Sequence, residues 1–324
     1  MTKPIQVRFW GTRGSTPAPI GAGTIREKII RAIGQARGRA FETDEEIAQF
    51  VEGLPMSVGG YYGGNTPCVE IKGGEEYVIC DAGTGIRDFG HSLAPGAEGS
   101  TFHIFMSHFH WGHIQGFPFF APAYAPGNLI RIYGFHGGME RAFEHQQACA
   151  HFPVPLQSMG AKVQFVRLKP GRDYHIGGFT VRGIEQRHPG VSYGYRFERD
   201  GKAIVYSTDA EHKTSYESAA REDSYPFIDF FRDADLLIFD APYDWSEAVL
   251  AKDDHGHSDY TAAVELSVRA NVKRLCMFHS EPTHTDERLD MLLDDARNYL
   301  KIRTNHTGHP LKIDLAYDGL VVEV

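Results

Sequence analysis

An α/β fold in one domain, with two β-sheets facing each other and helices outside, is the architecture this sequence predicts, and three observations carry the prediction. Short apolar runs with strand character fall into two blocks, one in each half of the chain, and each block leads into helical patterns. The 324 residues, 42% of them hydrophobic, are enough to bury a large core. No low-complexity tract, short-period repeat or linker divides residues 1–324.

Taken in order, residues 5–9 alternate like a half-buried strand and run into Gly11-Thr12-Arg13-Gly14-Ser15, where two glycines permit a tight loop facing solvent. Residues 17–60 hold two helical patterns, 25–36 and 44–54, the second opened by Thr43 with Glu46 three residues on as a capping box. Arg26, Lys28 and Arg31 sit among the apolar residues of the first. This stretch reads as a helical insert, either a solvated packing element or a basic lid over a site for anionic substrates. The loop Tyr61-Tyr62-Gly63-Gly64-Asn65-Thr66 precedes strands at 68–72 and 77–80, joined by a Gly73-Gly74 turn. Asp81-Ala82-Gly83-Thr84-Gly85 ends the second strand. It lacks the third glycine and the βαβ context of a dinucleotide fingerprint, which excludes that reading. A strand at 101–106 leads to a histidine cluster, residues 116–120 form an apolar anchor, and a strand at 129–133 precedes a helix at 138–149.

The second half repeats the theme. Strands are expected at 162–168, 179–184, 192–198 and 203–207, with Asp200-Gly201 at the centre of a hairpin turn. Further strands at 236–239, 274–278, 311–315 and 320–322 are interleaved with helices at 259–270 and 286–300.

Composition narrows the function classes. Cys68, Cys80, Cys149 and Cys276 form no Cys-x-x-Cys pair, so a thiolate zinc site is not indicated and buried free thiols are expected. No apolar run approaches the about 18 residues of a membrane span, and the amino-terminal residues show no cleavable apolar stretch, so a soluble cytoplasmic protein without membrane partners is expected. The net charge of −9 argues against long nucleic acid as the partner and favours small substrates.

The chemistry concentrates in Ser107-His108-Phe109-His110-Trp111-Gly112-His113. Residues two apart share a face of an extended segment and residues three apart share one at a helix start, so a strand-to-helix turn can aim all three imidazoles at one point. Three converging nitrogen donors suit zinc or iron in a catalytic centre. His188, Asp209, Asp240 and His279 each end an apolar strand. If they share a rim with the cluster, they complete a two-metal site in which a carboxylate bridges and hydroxide is held between the ions.

These residues resemble the metallo-β-lactamase superfamily, in the branch of ribonuclease Z and related phosphodiesterases. The resemblance runs through Phe9 to Ser15, Gly63-Gly64-Asn65-Thr66, Asp81 to Gly85, Ser107 to Phe120, His188-Pro189-Gly190, Ser207-Thr208-Asp209, Gly256-His257-Ser258 and Phe278-His279. It implies a four-layer αββα sandwich with a dinuclear metal site at one edge of the sheets. By the same resemblance His108, His110 and His188 hold the first metal, His113 and His279 the second, and Asp209 bridges them. His257 matches a histidine that helps to protonate the leaving oxygen. Ser15, Asn65 and Thr66 are candidate substrate contacts.

One position departs from the family. The motif is His-x-His-x-Asp-His, and Gly112 stands where it has the aspartate, so the second metal loses an anionic donor and is expected to bind more weakly. No segment corresponds to the long tRNA-clamping arm of ribonuclease Z, and transfer-RNA processing is disfavoured. The expected function is a metal-dependent phosphodiesterase for a small nucleotide, cyclic ones included, acting through hydroxide held by two divalent ions, with zinc first and manganese or iron as alternatives. The competing reading is a non-hydrolytic metal-binding sensor; a third takes Gly112 as an introduced change, so that Gly112→Asp would raise turnover. Relatives in this branch are commonly dimers, which makes a homodimer an expected state.

Overall fold

Two seven-stranded sheets pack face to face and carry helices on their outer faces. The computed structural model describes residues 4–93, 99–212, 225–244, 247, 256–305 and 308–324. Residues 1–3, part of the amino-terminal stretch read above as lacking a cleavable apolar segment, lie outside that set.

The first sheet contains β1 (Gln6–Gly11), β2 (Cys68–Lys72), β3 (Tyr77–Cys80), β4 (Thr101–Phe105), β5 (Leu129–Gly134), β6 (Lys162–Arg167) and the carboxy-terminal β14 (Val321–Glu323), in the order β14-β1-β2-β3-β4-β5-β6. The second contains β7 (Tyr174–Ile176), β8 (Phe179–Gln186), β9 (Ser192–Arg199), β10 (Lys202–Ser207), β11 (Leu236–Asp240), β12 (Arg274–Phe278) and β13 (Lys312–Leu315), in the order β13-β12-β11-β10-β9-β8-β7. Strands β3 to β6 and β10 to β13 run parallel, and the remaining pairs are antiparallel. In the β9–β10 hairpin both turn residues have positive φ, 50° at Asp200 and 74° at Gly201, which is the reason Asp-Gly marks it in the sequence.

Strand alternation divides the apolar residues between layers. Cys276 and Phe278 of β12 face Val7, Phe9 and Tyr195 between the sheets, whereas Leu275 and Met277 face Leu289 and Leu292 outside. Ile79, Ile104 and Ile132 cover the other outer face with Phe89 and Phe117. Burial of each such side chain contributes about 1.5–3 kcal/mol. Helices α1 (Ala22–Ala36), α2 (Asp44–Glu52), α3 (Met56–Gly59), α4 (Gly85–Ser92), α5 (Trp111–Ile114), α6 (Met139–Gln146), α7 (Pro226–Phe231), α8 (Tyr260–Arg269) and α9 (Asp286–Arg303) complete the chain among the described residues.

The sequence did not anticipate α3, β7, α4, α5 as a helix in its own right, or α7. All are eight residues or fewer, too short for apolar periodicity to register, and α4 follows directly on a glycine-rich turn. At α2 the capping box is displaced: Thr43 Oγ1 accepts from Glu46 N at 3.2 Å, but the Glu46 carboxylate accepts from Glu42 N at 2.7 Å, one residue before the cap. Cys68, Cys80 and Cys276 are buried free thiols as expected, while Cys149 is exposed. No helix among the described residues is long and apolar enough to cross a membrane.

The topology decides where chemistry can occur. The carboxyl ends of β3 and β4 in one sheet and of β10, β11 and β12 in the other open at the same edge, and each carries a polar residue at its last position or within two residues beyond it: Asp81, Ser107, Thr208, Asp240 and His279. Ligand sites of parallel sheets form at carboxyl ends because the loops there are free to vary while the strands hold them in place.

Candidate metal centre

At the end of β4 the chain turns into α5, with His110 at the cap position and His113 inside the helix. That turn brings the rings of His108 and His110 to 4.5 Å between centroids, and those of His108 and His113 to 4.2 Å. His188 arrives from the end of β8, with Nε2 3.2 Å from His110 Nδ1. His279 arrives from the end of β12 with its ring 5.4 Å from His113.

Asp209 lies between two groups of imidazoles and divides its oxygens between them. Oδ1 is 3.7 Å from His108 Nε2 and 3.7 Å from His188 Nε2, whereas Oδ2 is 3.2 Å from His113 Nε2 and 3.4 Å from His279 Nε2. Donor atoms of His108, His110 and His188, and those of His108, His113 and Asp209, lie within 4.8 Å of one another. Five histidines and one carboxylate, on four separate loops, thus converge with the two-group geometry of a dinuclear centre.

Three residues around the centre hold left-handed backbones without being glycine: Asp81 at φ 60°, Asp209 at 50° and His279 at 65°. Such conformations cost about 1–3 kcal/mol each and persist only where the surroundings enforce them. The enforcement is visible at Asp81, which the sequence reading quoted without assigning a role. Its Oδ1 accepts from Ser107 N, and its Oδ2 accepts from Ser107 Oγ and Tyr206 OH, all at 2.7 Å. His113 Nδ1 lies 2.8 Å from the same Oδ2, which leaves Nε2 to face Asp209. His188 is oriented likewise by a 2.9 Å bond from Nδ1 to the Gly256 carbonyl. These are the supporting contacts that fix the tautomer of a metal-ligating histidine.

The electrostatics suit a cation. Burial holds His108, His110, His188 and His279 below the usual imidazole range, His279 at about 4, so they are neutral donors at ordinary pH. Burial also opposes ionisation of Asp209, yet His279, His113 and His108 outweigh it and hold the carboxyl well below its usual range. At His113 burial is overcome by Asp209 and Asp81, which push the imidazole up to about 10. The field that retains a proton there is the field that would draw a metal ion. The residues present fit such an ion on a further count: His108 Nε2 and His279 Nε2 are buried and make no hydrogen bond.

His257 sits beside the centre, its ring 5.2 Å from His188 and 5.0 Å from His279. Its Nδ1 is 2.9 Å from Asp240 Oδ2, and that carboxylate raises it to about 9 against the effect of burial. Ser258 does not cap the following helix. Asp259 is the cap, accepting from Thr261 N and Ala262 N, while Ser258 Oγ donates to the Ala210 carbonyl. His257 therefore has no part in starting α8.

Gly112 is explained by a contact that the sequence does not show. A Cβ at this position would lie 2.8 Å from the Ser15 carbonyl oxygen and 3.2 Å from Ser15 Cα, so backbone occupies the space where a side chain would begin. The loop that carries Ser15 is firmly tied. Thr12 N and Arg13 N both donate to the Asn65 carbonyl at 2.9 Å, Gly14 N donates to the Ser280 carbonyl, and Arg13 Nε donates to the Gly63 carbonyl. Gly14 is needed in turn, because a Cβ there would meet the His279 ring at 2.8 Å. A side chain at Gly112 therefore has to displace the Ser15 backbone before an aspartate there could act as a ligand. We expect Gly112→Asp to lower the melting temperature, by an overpacking cost of about 1–3 kcal/mol, without raising the metal content of the purified protein. Unchanged stability together with a gained metal equivalent would contradict this.

Of the candidate substrate contacts, Ser15 is exposed at the rim. Thr66 is fully buried, with Oγ1 accepting from Thr84 N at 2.8 Å and Gln115 Nε2 at 3.2 Å. Asn65 spans Asp88 and Thr84 through its side-chain amide. Both brace the loop beneath Gly112.

Comparison with known proteins follows the same lines. Residues 76–280, more than half of the chain, match the family described as "Beta-lactamase superfamily domain". A ribonuclease Z of Thermoplasma acidophilum is 25% identical over 236 residues, 60% of this chain and 73% of that protein. Among solved structures, the metallo-β-lactamase fold protein YhfI from Bacillus subtilis superposes with a TM-score of 0.62 at 19% identity, covering 99% of this chain and 100% of that one. A diphosphatase from the PhnP family superposes with a TM-score of 0.58 at 18% identity, covering 100% and 98%.

Proposed function

For this chain, which belongs to the metallo-β-lactamase superfamily, we propose hydrolysis of a phosphodiester in a small nucleotide. The observation that carries the proposal is the division of the Asp209 oxygens between two histidine groups, a donor set that would suit a pair of divalent ions. Such ions supply Lewis acidity towards phosphoryl oxygens and lower the pKa of water. His108, His110 and His188 would hold one, and His113 and His279, which share Asp209 Oδ2, would hold the other.

The chain's own residues add the rest. His257, protonated under the influence of Asp240, is placed to give a proton to a departing alkoxide. Trp111, 80% exposed between His110 and Gly112, offers an indole face against which a nucleobase can stack. Phosphoester chemistry is also supported by the relatives, a ribonuclease Z and a diphosphatase, although their own substrates are not carried over. The net charge of −9 favours a small substrate over a long polyanion.

The test is a screen of metal-loaded protein against bis(p-nitrophenyl) phosphate, cyclic and linear dinucleotides, a thioester and a lactam. Turnover confined to the phosphodiesters supports the proposal. Thioester or lactam turnover alone would overturn it, and metal-dependent ligand binding with no turnover would favour the sensor reading. A second expectation concerns occupancy. Because the Ser15 loop denies the second position a motif carboxylate, titration of apo-protein with zinc should show two unequal steps, and two equal tight steps would count against the assignment.

A further inference from the structure

A row of buried charges joins the helical insert to the edge that carries the histidines. The one buried residue of α1 is Lys28, whose Nζ donates to the carbonyls of Met56, Ser57 and Gly60 and pairs with Asp286 Oδ2 at 2.7 Å. Asp286 is the first residue of α9 and is buried too. Its Oδ1 accepts from Tyr62 N at 3.3 Å and lies 3.7 Å from Arg13 Nη2. Arg13, buried in turn, donates from Nε to the Gly63 carbonyl at 2.8 Å and from Nη1 to the carbonyls of Glu281 and His284, both at 3.1 Å.

The row ends at the backbone of a metal-ligand candidate. Arg13 bridges to Ser280, the residue after His279: Gly14 N donates to the Ser280 carbonyl at 2.9 Å, and Ser280 N donates to the Thr12 carbonyl at 3.1 Å. His279 has a left-handed backbone, φ 65°, which persists only where its surroundings enforce it. Arg13 supplies that enforcement by tying the stretch beyond His279 to the Gly63 loop. None of these bonds goes to His108, His110 or His188. An ammonium with four partners is not offered to an anionic substrate, and Arg31, the next basic residue of α1, pairs with Glu287 of α9. The insert is therefore built to brace α9 and the loop before it. Taking the charge from Lys28 leaves Asp286 buried beside a guanidinium already bonded to three carbonyls, and a buried charge that loses its partner strains what remains around it.

We propose that Lys28 is a positioning residue for the second metal position: through Asp286 and Arg13 it sets the backbone at His279. The proposal rests on the assignment of His113 and His279 to that position. The test compares wild type, Lys28→Met and Asp286→Asn in the full chain. Asp286→Asn keeps the three carbonyl bonds of Lys28 and carries the comparison should Lys28→Met fail to fold. In metal-free protein, amide hydrogen exchange at Gly14 and Ser280 should quicken by about 10-fold or more, while the Ser107 amide, bonded to Asp81, keeps its protection. In zinc titration of the same preparations, the weaker step should lose about 10–100-fold in affinity and the tighter step should stay as in wild type. Unchanged exchange at Gly14 and Ser280, equal loss of protection at Ser107, or equal weakening of both zinc steps would each show a merely structural role and overturn the proposal. A wild type that takes up no zinc would overturn the metal assignment and this role with it, whereas two zinc steps that the variants leave unaltered would overturn this role alone.

Discussion

Asp209→Asn is expected to remove metal-dependent turnover and most of the bound metal together. The substitution keeps the side-chain shape but takes away the one carboxylate among the described residues that faces both histidine groups, with His113 Nε2 at 3.2 Å and His108 Nε2 at 3.7 Å. It also removes one of the two charges that hold His113 at about 10. Supporting groups around a metal typically matter by about 10–100-fold, and a residue shared by both positions should exceed that. Elemental analysis and turnover on one preparation check the outcome. Retention of two ions and full activity would remove Asp209 from the centre. The fold should survive, because Asp209 lies in a loop at the sheet edge and the inter-sheet core around Phe9, Tyr195 and Phe278 does not depend on it.

His257→Ala is expected to separate substrates by leaving group. A ribose alkoxide needs a proton as it departs and nitrophenolate does not, so only the nucleotide should lose the about 10²–10⁴-fold that a general acid supplies. The structure makes this test cleaner than the sequence promised, since α8 is capped by Asp259 and starts without His257. The ring is held by Asp240, whose backbone ends the interior strand β11, so Asp240→Asn should produce a weaker version of the same split. Equal losses on both substrates at matched metal content would remove His257 from proton transfer to the leaving group.

Local sequence determined what local geometry determines. Apolar runs bounded by glycine and polar residues placed the longer strands, because a strand buried on two faces leaves an unbroken apolar signature. The spacing of His108, His110 and His113 foretold convergence, because a strand-to-helix turn fixes those directions within six residues. Apolar runs ending in His188, Asp209, Asp240 and His279 marked those positions as one set.

The tertiary structure decided everything that depends on distant segments meeting. That Ser15 backbone fills the space above Gly112, that Asp81 braces His113 and Tyr206, and that Asn65 and Thr66 support a loop are contacts across tens of residues or more. No periodicity encodes them. The pairing of β14 with β1 is of the same kind, since edge pairing reflects which backbone lies free and not which side chains alternate. The direction α1 faces could not be read either. Three carbonyls and Asp286 hold the Lys28 ammonium inward, while Ile25, Ile29, Ile30 and Ile33 stay exposed, and all four of those partners of Lys28 lie outside the helix.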